Sequence, residues 1–251
     1  MSKLALITGA TSGIGRATAL LLAEKRINLI ITGRRENRLL SLKKDLETKN
    51  IHVLTLCFDV RNEVEVKKSL GNLPEEWRKI DILVNNAGLA AGLGAIQNGD
   101  TDDWDRMIDT NVKGLLYVTR AIAPGMVERE SGHIINIGSI AGKEVYPNGN
   151  VYCATKSAVD ALTKGMRIDM LPHNIKVTQI CPGAVETEFS LVRFHGDKQR
   201  SDKVYEGYEN LVAEDIADCI WFVVSRPSHV NINDMVVMPS AQATATLFHK
   251  Q

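Results

Sequence analysis

The sequence predicts an α/β fold built on a parallel sheet, and three observations carry that prediction. Short, continuously apolar runs of four to six residues recur along the chain, the kind buried on both faces of a parallel sheet. Helix-period segments separate them. The first run passes straight into a glycine-rich turn that opens a helix, Gly9-Ala10-Thr11-Ser12-Gly13-Ile14-Gly15. At 251 residues, with no Pro/Gly/Ser-rich linker and no charge block to divide it, the chain is expected to form one domain over residues 1–251.

Taken in order, Lys3-Leu4-Ala5-Leu6-Ile7-Thr8 reads as the first strand. The helix after the glycine-rich turn runs to about Lys25, with Ala19, Leu20, Leu22 and Ala23 on its apolar face. Such a turn lets backbone approach a pyrophosphate, and the helix amino terminus offers unpaired N–H groups and a positive dipole to it. The spacing is G-x-x-x-G-x-G rather than G-x-G-x-x-G, and a tight strand-to-helix connection is the plain alternative. Asn28-Leu29-Ile30-Ile31-Thr32 completes a βαβ unit and ends in Gly33-Arg34-Arg35. An NAD site places an acid here against the ribose hydroxyls. Two guanidiniums stand there instead, and their planar forks match a 2′-phosphate; the alternative is two solvated arginines opening a charged helix, Glu36 to Lys49.

His52 to Cys57 is the third strand, followed by Asp59-Val60, where the acid either meets an adenine amino group or caps a helix beginning near Asn62. Ile82-Leu83-Val84 leads into Asn85-Asn86-Ala87-Gly88, small and amide residues suited to packing beside a cofactor or to satisfying a buried turn. Trp104 to Glu128 reads as one long helix with Asn111 inside it, a residue type mildly unfavourable there, so Asn111 is either functional or solvent-facing. The apolar strand Ile134 to Ile137 ends at Gly138-Ser139, and a helix carrying Tyr152 and Lys156 runs to about Leu171. Lys176 to Cys181 is a sixth strand that Pro182-Gly183 stops. From 183 to about 212 the composition turns polar and irregular, a length that suggests a substrate lid. Asp215 to Val224 is a further helix and Met235 to Met238 the last strand.

Tyr152 and Lys156 stand four residues apart, so phenol and ammonium project from one helix face. A phenol titrates near about 10 in isolation, and a cation beside it in a poorly hydrated site is expected to lower that value. With the Ser139 hydroxyl holding a carbonyl or alcohol oxygen, the three suit redox at a C–O bond.

Composition excludes several classes. Thirty basic and thirty acidic residues cancel, removing the long-range pull toward nucleic acid or anionic lipid. The four cysteines are scattered without C-x-x-C spacing and are expected to be reduced thiols of a cytoplasmic protein. Six histidines lack metal-type spacing, so no metal site is expected. Met1-Ser2-Lys3 leads directly into the first apolar run and no apolar stretch approaches 20 residues, so neither a signal peptide nor a membrane span is expected.

Together, Thr8-Gly9-x3-Gly13-Ile14-Gly15, Asn85 to Gly88, Asn111, Ser139, Tyr152-x3-Lys156 and Pro182-Gly183 resemble the short-chain dehydrogenase/reductase family, in order and over almost the whole chain. The resemblance implies a doubly wound Rossmann fold with a seven-stranded parallel sheet, a nicotinamide cofactor across its carboxyl edge, and usually a homotetramer. It implies Tyr152 as general acid/base, Lys156 lowering its pKa and holding the nicotinamide ribose, Ser139 fixing the substrate oxygen, and Asn111 ordering a relay water. Cofactor contacts pass to Gly9, Thr11, Ser12, Gly13, Ile14, Gly15, Arg34, Arg35, Asp59, Val60, Asn86, Ala87, Gly88, Tyr152, Lys156, Pro182, Gly183, Val185 and Thr187. A closer similarity, in Met126 to Arg129, Gly149 to Tyr152, Thr187 to Arg193 and His229 to Asn233, is to the branch of NADP-dependent 3-hydroxy acid (serine or L-allo-threonine) dehydrogenases. This implies NADP(H) and a short 3-hydroxy acid as partners. The acid's carboxylate needs a cation outside the shared motifs; Arg193 in the lid is the candidate, with Lys143, Arg200 and His195 as alternatives. A carbonyl reductase with no carboxylate requirement, and a non-catalytic NADP-sensing protein, are the competing functions.

Overall fold

The computed structural model describes residues 3–251, so Met1 and Ser2, and the expectation placed on them, lie outside the described residues. The strands are β1 (Leu4–Ile7), β2 (Asn28–Gly33), β3 (Val53–Cys57), β4 (Ile82–Asn85), β5 (Gly132–Ile137), β6 (Ile175–Pro182) and β7 (Asp234–Val237). They form one seven-stranded parallel sheet in the order β3-β2-β1-β4-β5-β6-β7. The order reverses between β1 and β4, and in such sheets the crevice for a ligand opens outside the carboxyl ends of the strands at that reversal.

Alternation along β1 shows why both faces are covered. Ala5 and Ile7 point into one apolar layer, packed against α1 (Gly13–Glu24), α2 (Glu36–Glu47) and α9 (Ala213–Val224) through residues such as Leu22, Leu39 and Ile220. Leu4 and Leu6 point into the other, packed against α3 (Glu63–Gly71), α5 (Leu115–Glu128) and α6 (Asn150–Met170) through Val66, Met126 and Val159. A strand buried on both sides has no polar face to offer, which is why these runs read as continuous rather than alternating.

Four local expectations need correction. The single helix expected over Trp104 to Glu128 is instead α4 (Thr101–Ile108), a π-helical turn (Asp109–Gly114) and α5. Asp100 caps α4 by accepting from the Asp102 N–H at 2.9 Å. Asn111 does not face solvent: it is 2% exposed and tied to the turn after β4. Asp59 does not cap the following helix, because Asn62 does so itself, its Oδ1 accepting from Val64 N and Glu65 N at 3.1 and 3.2 Å. The segment 183–212 is not irregular throughout: it holds α7 (Phe189–Arg193) and α8 (Lys198–Tyr205). A parallel bridge between Val185 and Leu211 closes its base, so the segment leaves and re-enters the body at one place.

Candidate active site

A cleft of about 520 Å³ follows the carboxyl edge of the sheet at the β1/β4 reversal, within the usual range of ligand sites. Its floor is the glycine-rich turn. Gly9 and Gly13 adopt positive φ (67° and 50°), where an L side chain is strained. A Cβ on Gly15 would lie 2.4 Å from Asn86 Nδ2 and 2.5 Å from Gly9 O, so the turn closes on its neighbours only as glycine. The Asn86 amide donates to Thr8 O at 2.8 Å, and Thr8 Oγ1 accepts from Asn86 N (3.0 Å) and Ala87 N (2.9 Å). The stretch Asn85 to Gly88 therefore braces this turn. No acid occupies the first turn of α1 and no side chain caps it, which leaves the N–H groups of Gly13, Ile14 and Gly15 for an anion.

Beyond the turn, Arg34 is 57% exposed and lies 3.6 Å from Asp59. Arg35 folds back over the turn, its Nη2 2.8 Å from both Thr11 Oγ1 and Ser12 Oγ. Asp59 is gripped by Arg61 at 2.7 Å; burial raises its carboxyl, and Arg61 more than reverses that, leaving it below the usual range. Val60, Ala87, Pro182, Val185 and Thr187 line the same cleft. A floor too tight for side chains, a bare helix terminus and two arginines at the end of β2 fit a dinucleotide with a 2′-phosphate.

At the other end stand Ser139, Tyr152 and Lys156. Ser139 follows β5 in extended conformation, its Oγ accepting from Ala141 N at 3.1 Å, and its hydroxyl lies on the Tyr152 side, where it favours the phenolate. Tyr152 and Lys156 lie on successive turns of α6 and are 8% and 6% exposed. The expected lowering of the phenol pKa by Lys156 is not what this geometry produces. Burial pushes the Tyr152 phenol up, Tyr146 adds to that, and the opposing pull comes from Ser139 and Arg193. The Lys156 Nζ donates to Ile137 O at 2.9 Å and sits 6.0 Å from the phenol ring centroid, while its own pKa is pushed down by burial to about 8. The ammonium stays mostly protonated at neutral pH, but it is anchored to the Ile137 carbonyl and does not offset the burial of the phenol. Asn111 accepts from Leu89 N and donates to Leu89 O, both at 2.8 Å, and donates to Thr155 Oγ1 at 3.0 Å. It thereby clamps the turn after β4 onto α6, and the side-chain hydrogen bonds made from the π-helical turn are what place it there.

Of the four candidate cations, the structure brings only Arg193 to the cleft. Its Nη2 donates to the Tyr146 hydroxyl at 2.8 Å, and its guanidinium lies 5.4 Å from the Tyr146 ring and 5.6 Å from the Tyr152 ring. Lys143 does not line the cleft and is ion-paired with Asp160 of α6 and Asp234 of β7. His195 pairs with Asp103 at 2.9 Å, and Arg200 lies over Phe194 at 4.5 Å. The cleft is also lined by Tyr146, Phe189, Tyr205, Gln242 and Phe248, none of which sequence reasoning found. Apart from Phe189, which lies in the Thr187 to Arg193 stretch, they carry no motif; Tyr205 and Gln242 act through contacts distant in sequence, Tyr205 donating to Val185 O at 3.0 Å and Gln242 Oε1 accepting from Ala184 N at 2.9 Å.

The pattern of the short chain dehydrogenase family matches residues 3–197. The NADP-dependent 3-hydroxy acid dehydrogenase of Salmonella typhi is 49% identical over 243 residues, which is 96% of this chain and 97% of that protein. The protein of that name from Escherichia coli K12 is 47% identical over 248 residues, 98% and 99% of the two chains. Sulfoacetaldehyde reductase 2 of Chromohalobacter salexigens is 46% identical over 244 residues, 97% and 96%. Among solved structures, the closed form of serine dehydrogenase complexed with NADP+ superposes with a TM-score of 0.92 at 46% identity, covering 99% of this chain and all of that one.

Proposed function

The chain belongs to the short chain dehydrogenase family, and we propose that within it the protein is an NADP-dependent oxidoreductase acting at the 3-position of a short 3-hydroxy acid, of serine, allo-threonine, 3-hydroxypropionate or 3-hydroxyisobutyrate type. The observation that carries this reading is the position of Arg193. Its guanidinium lies 5.6 Å from the ring of Tyr152, so a cation faces the group that handles the substrate hydroxyl. A forked cation donates to both oxygens of a carboxylate and stays charged as the site dries. The names of the relatives support the same substrate class and the same cofactor.

Bound NADP⁺ supplies the hydride acceptor. The glycine-rich turn and α1 hold its pyrophosphate, Arg34 and Arg35 its 2′-phosphate, and Lys156 its nicotinamide ribose. Ser139 holds the substrate hydroxyl oxygen against Tyr152, whose phenolate takes the hydroxyl proton in oxidation and whose phenol returns it in reduction. Because burial raises that phenol, the deprotonated form is scarce at neutral pH and oxidation is favoured by alkaline conditions. Asn111 keeps the Gly88-Leu89 turn seated against α6, and its remaining acceptor capacity orders a relay water.

The same reading takes residues 1–251 as one domain with a lid at about 183–212, assembled as a homotetramer in the cytoplasm. Four free cysteines, Cys153 and Cys181 of them buried, support a reducing compartment. Among the described residues no helix is long and apolar enough to cross a membrane. The test is to offer the purified chain NADP⁺ with each of the four acids beside simple alcohols of the same length. NADPH formed from the acids alone supports the reading. Equal turnover of the alcohols would make it a carbonyl reductase with no carboxylate requirement, and no turnover of either would leave the non-catalytic NADP-sensing role.

A further inference from the structure

The two arginines set against a 2′-phosphate are not equally free. Arg35 is engaged through all three of its nitrogens: Nε reaches Thr11 Oγ1 at 3.1 Å, Nη2 reaches Thr11 Oγ1 and Ser12 Oγ at 2.8 Å, and Nη1 reaches Glu188 Oε2 at 2.9 Å. Arg38, on the same face of α2, places its Nη1 2.7 and 3.0 Å from the two oxygens of that same carboxylate. Glu188 belongs to the other wall of the cleft. It stands between Thr187, whose side chain packs at Gly13, and the first residue of α7. A carboxylate of the lid thus crosses the mouth of the cleft and sits in the guanidinium fork that is offered to the cofactor.

We propose that Glu188 is a built-in competitor of the cofactor's 2′-phosphate, so that this lid carboxylate lowers the affinity for NADP(H) and not for NAD(H). The inference rests on the NADP reading above. A carboxylate and a phosphate monoester make the same demand on a guanidinium, and Arg35 Nη1 cannot serve both at full strength. When the 2′-phosphate takes the fork, Glu188 either leaves, giving up Arg35 and Arg38, or stays beside a group of like charge; both outcomes oppose binding. A 2′-hydroxyl makes no such claim, and the Glu188–Arg35–Arg38 contacts persist beside it. Partial burial raises the Glu188 carboxyl, but hydrogen bonds from Arg38 and Arg35 more than reverse that, so the competitor is anionic at neutral pH. Glu188 and Arg35 are both 42% exposed, so solvent screening limits the effect to a modest one.

The experiment is a calorimetric titration of wild type, Glu188→Gln and Glu188→Ala with 2′,5′-ADP and with 5′-AMP, probes that differ only in the 2′-phosphate. Both variants are expected to bind 2′,5′-ADP about two- to five-fold more tightly than wild type, with 5′-AMP unchanged. No change for 2′,5′-ADP, weaker binding of it, or an equal shift for both probes would overturn the inference. In the last two cases Glu188 is a clamp or a shaping residue. A wild-type chain that binds the two probes equally would overturn the NADP reading and this inference with it.

Discussion

Replacing Arg193 by alanine separates recognition of the acid from the chemistry at the hydroxyl. The guanidinium donates to the Tyr146 hydroxyl at 2.8 Å and through Nε to Gly92 O at 3.4 Å, and it faces the rings of Tyr146 and Tyr152. Removing one partner of a desolvated charge pair costs about 2–5 kcal/mol. At about 1.4 kcal/mol per decade, kcat/KM on 3-hydroxy acids should fall by some tens- to thousands-fold. The variant also takes a partner from the half-buried Tyr146 hydroxyl, so a loss of stability of about 0.5–1.5 kcal/mol is expected alongside. Tyr146→Phe controls for this: it deletes the 2.8 Å contact but keeps the cation, and should cost about 0.5–1.5 kcal/mol in kcat/KM, a several-fold effect. The assay is initial-rate NADPH formation from 3-hydroxypropionate and from a simple alcohol, well below the melting temperature of each variant. If Arg193→Ala depresses both substrates alike, the arginine is shaping the lid and the carboxylate site is elsewhere. If it depresses neither, the guanidinium has no part in binding.

Tyr152→Phe should lower turnover by about 10²–10⁴-fold while NADPH binding, followed by fluorescence, stays near wild type; retention of more than about a tenth of the rate removes Tyr152 from proton transfer. Lys156→Ala should weaken both, since the role proposed for Lys156 is to hold the ribose and its Nζ also donates to Ile137 O. The rate of oxidation should rise with pH, because burial raises the Tyr152 phenol and the base is its deprotonated form. His133 supplies a stability test remote from the site. It is buried against Thr178 and its pKa is pushed down to about 3, by burial first and then by Lys176 and Lys3. The unfolded chain therefore binds a proton that the folded chain refuses, and stability is lost as pH falls from about 6.5 toward about 3, by up to about 1.4 kcal/mol per pH unit. Denaturant melts over that window should show the slope, and His133→Gln should remove its share; an unchanged slope would mean the histidine protonates without cost.

Strands were legible because burial on both faces leaves an unbroken apolar run, as in Leu4 to Ile7, and the order of motifs placed the cleft. Tertiary contacts decided the rest. Asn111 stood out as an odd residue in a helix, but the π-helical turn around it is paired with Leu89 and Thr155, 22 and 44 residues away, and no local pattern shows that. Lys143 looked like a pocket cation until the fold set it between Asp160 and Asp234. Arg38 and Glu188 read as ordinary surface charges, and they meet only because the segment after β6 folds back across 150 residues of chain. The phenol pKa went the other way because sequence spacing gives the distance between Tyr152 and Lys156 along a helix, not the burial of the phenol or the carbonyl that takes the ammonium.

The central claim is direct hydride transfer from the 3-carbon of a hydroxy acid to NADP⁺ at this site. It is tested by oxidising 3-hydroxypropionate deuterated at C3 and following the label by mass spectrometry of the reduced cofactor, with NADP⁺ and NAD⁺ in parallel. The account predicts deuterium in NADPH in step with product and a catalytic efficiency with NADP⁺ about ten-fold or more above that with NAD⁺, the value of one charge-assisted phosphate contact. Reduced cofactor without the label, equal efficiency with both cofactors, or no reduction at all would contradict it.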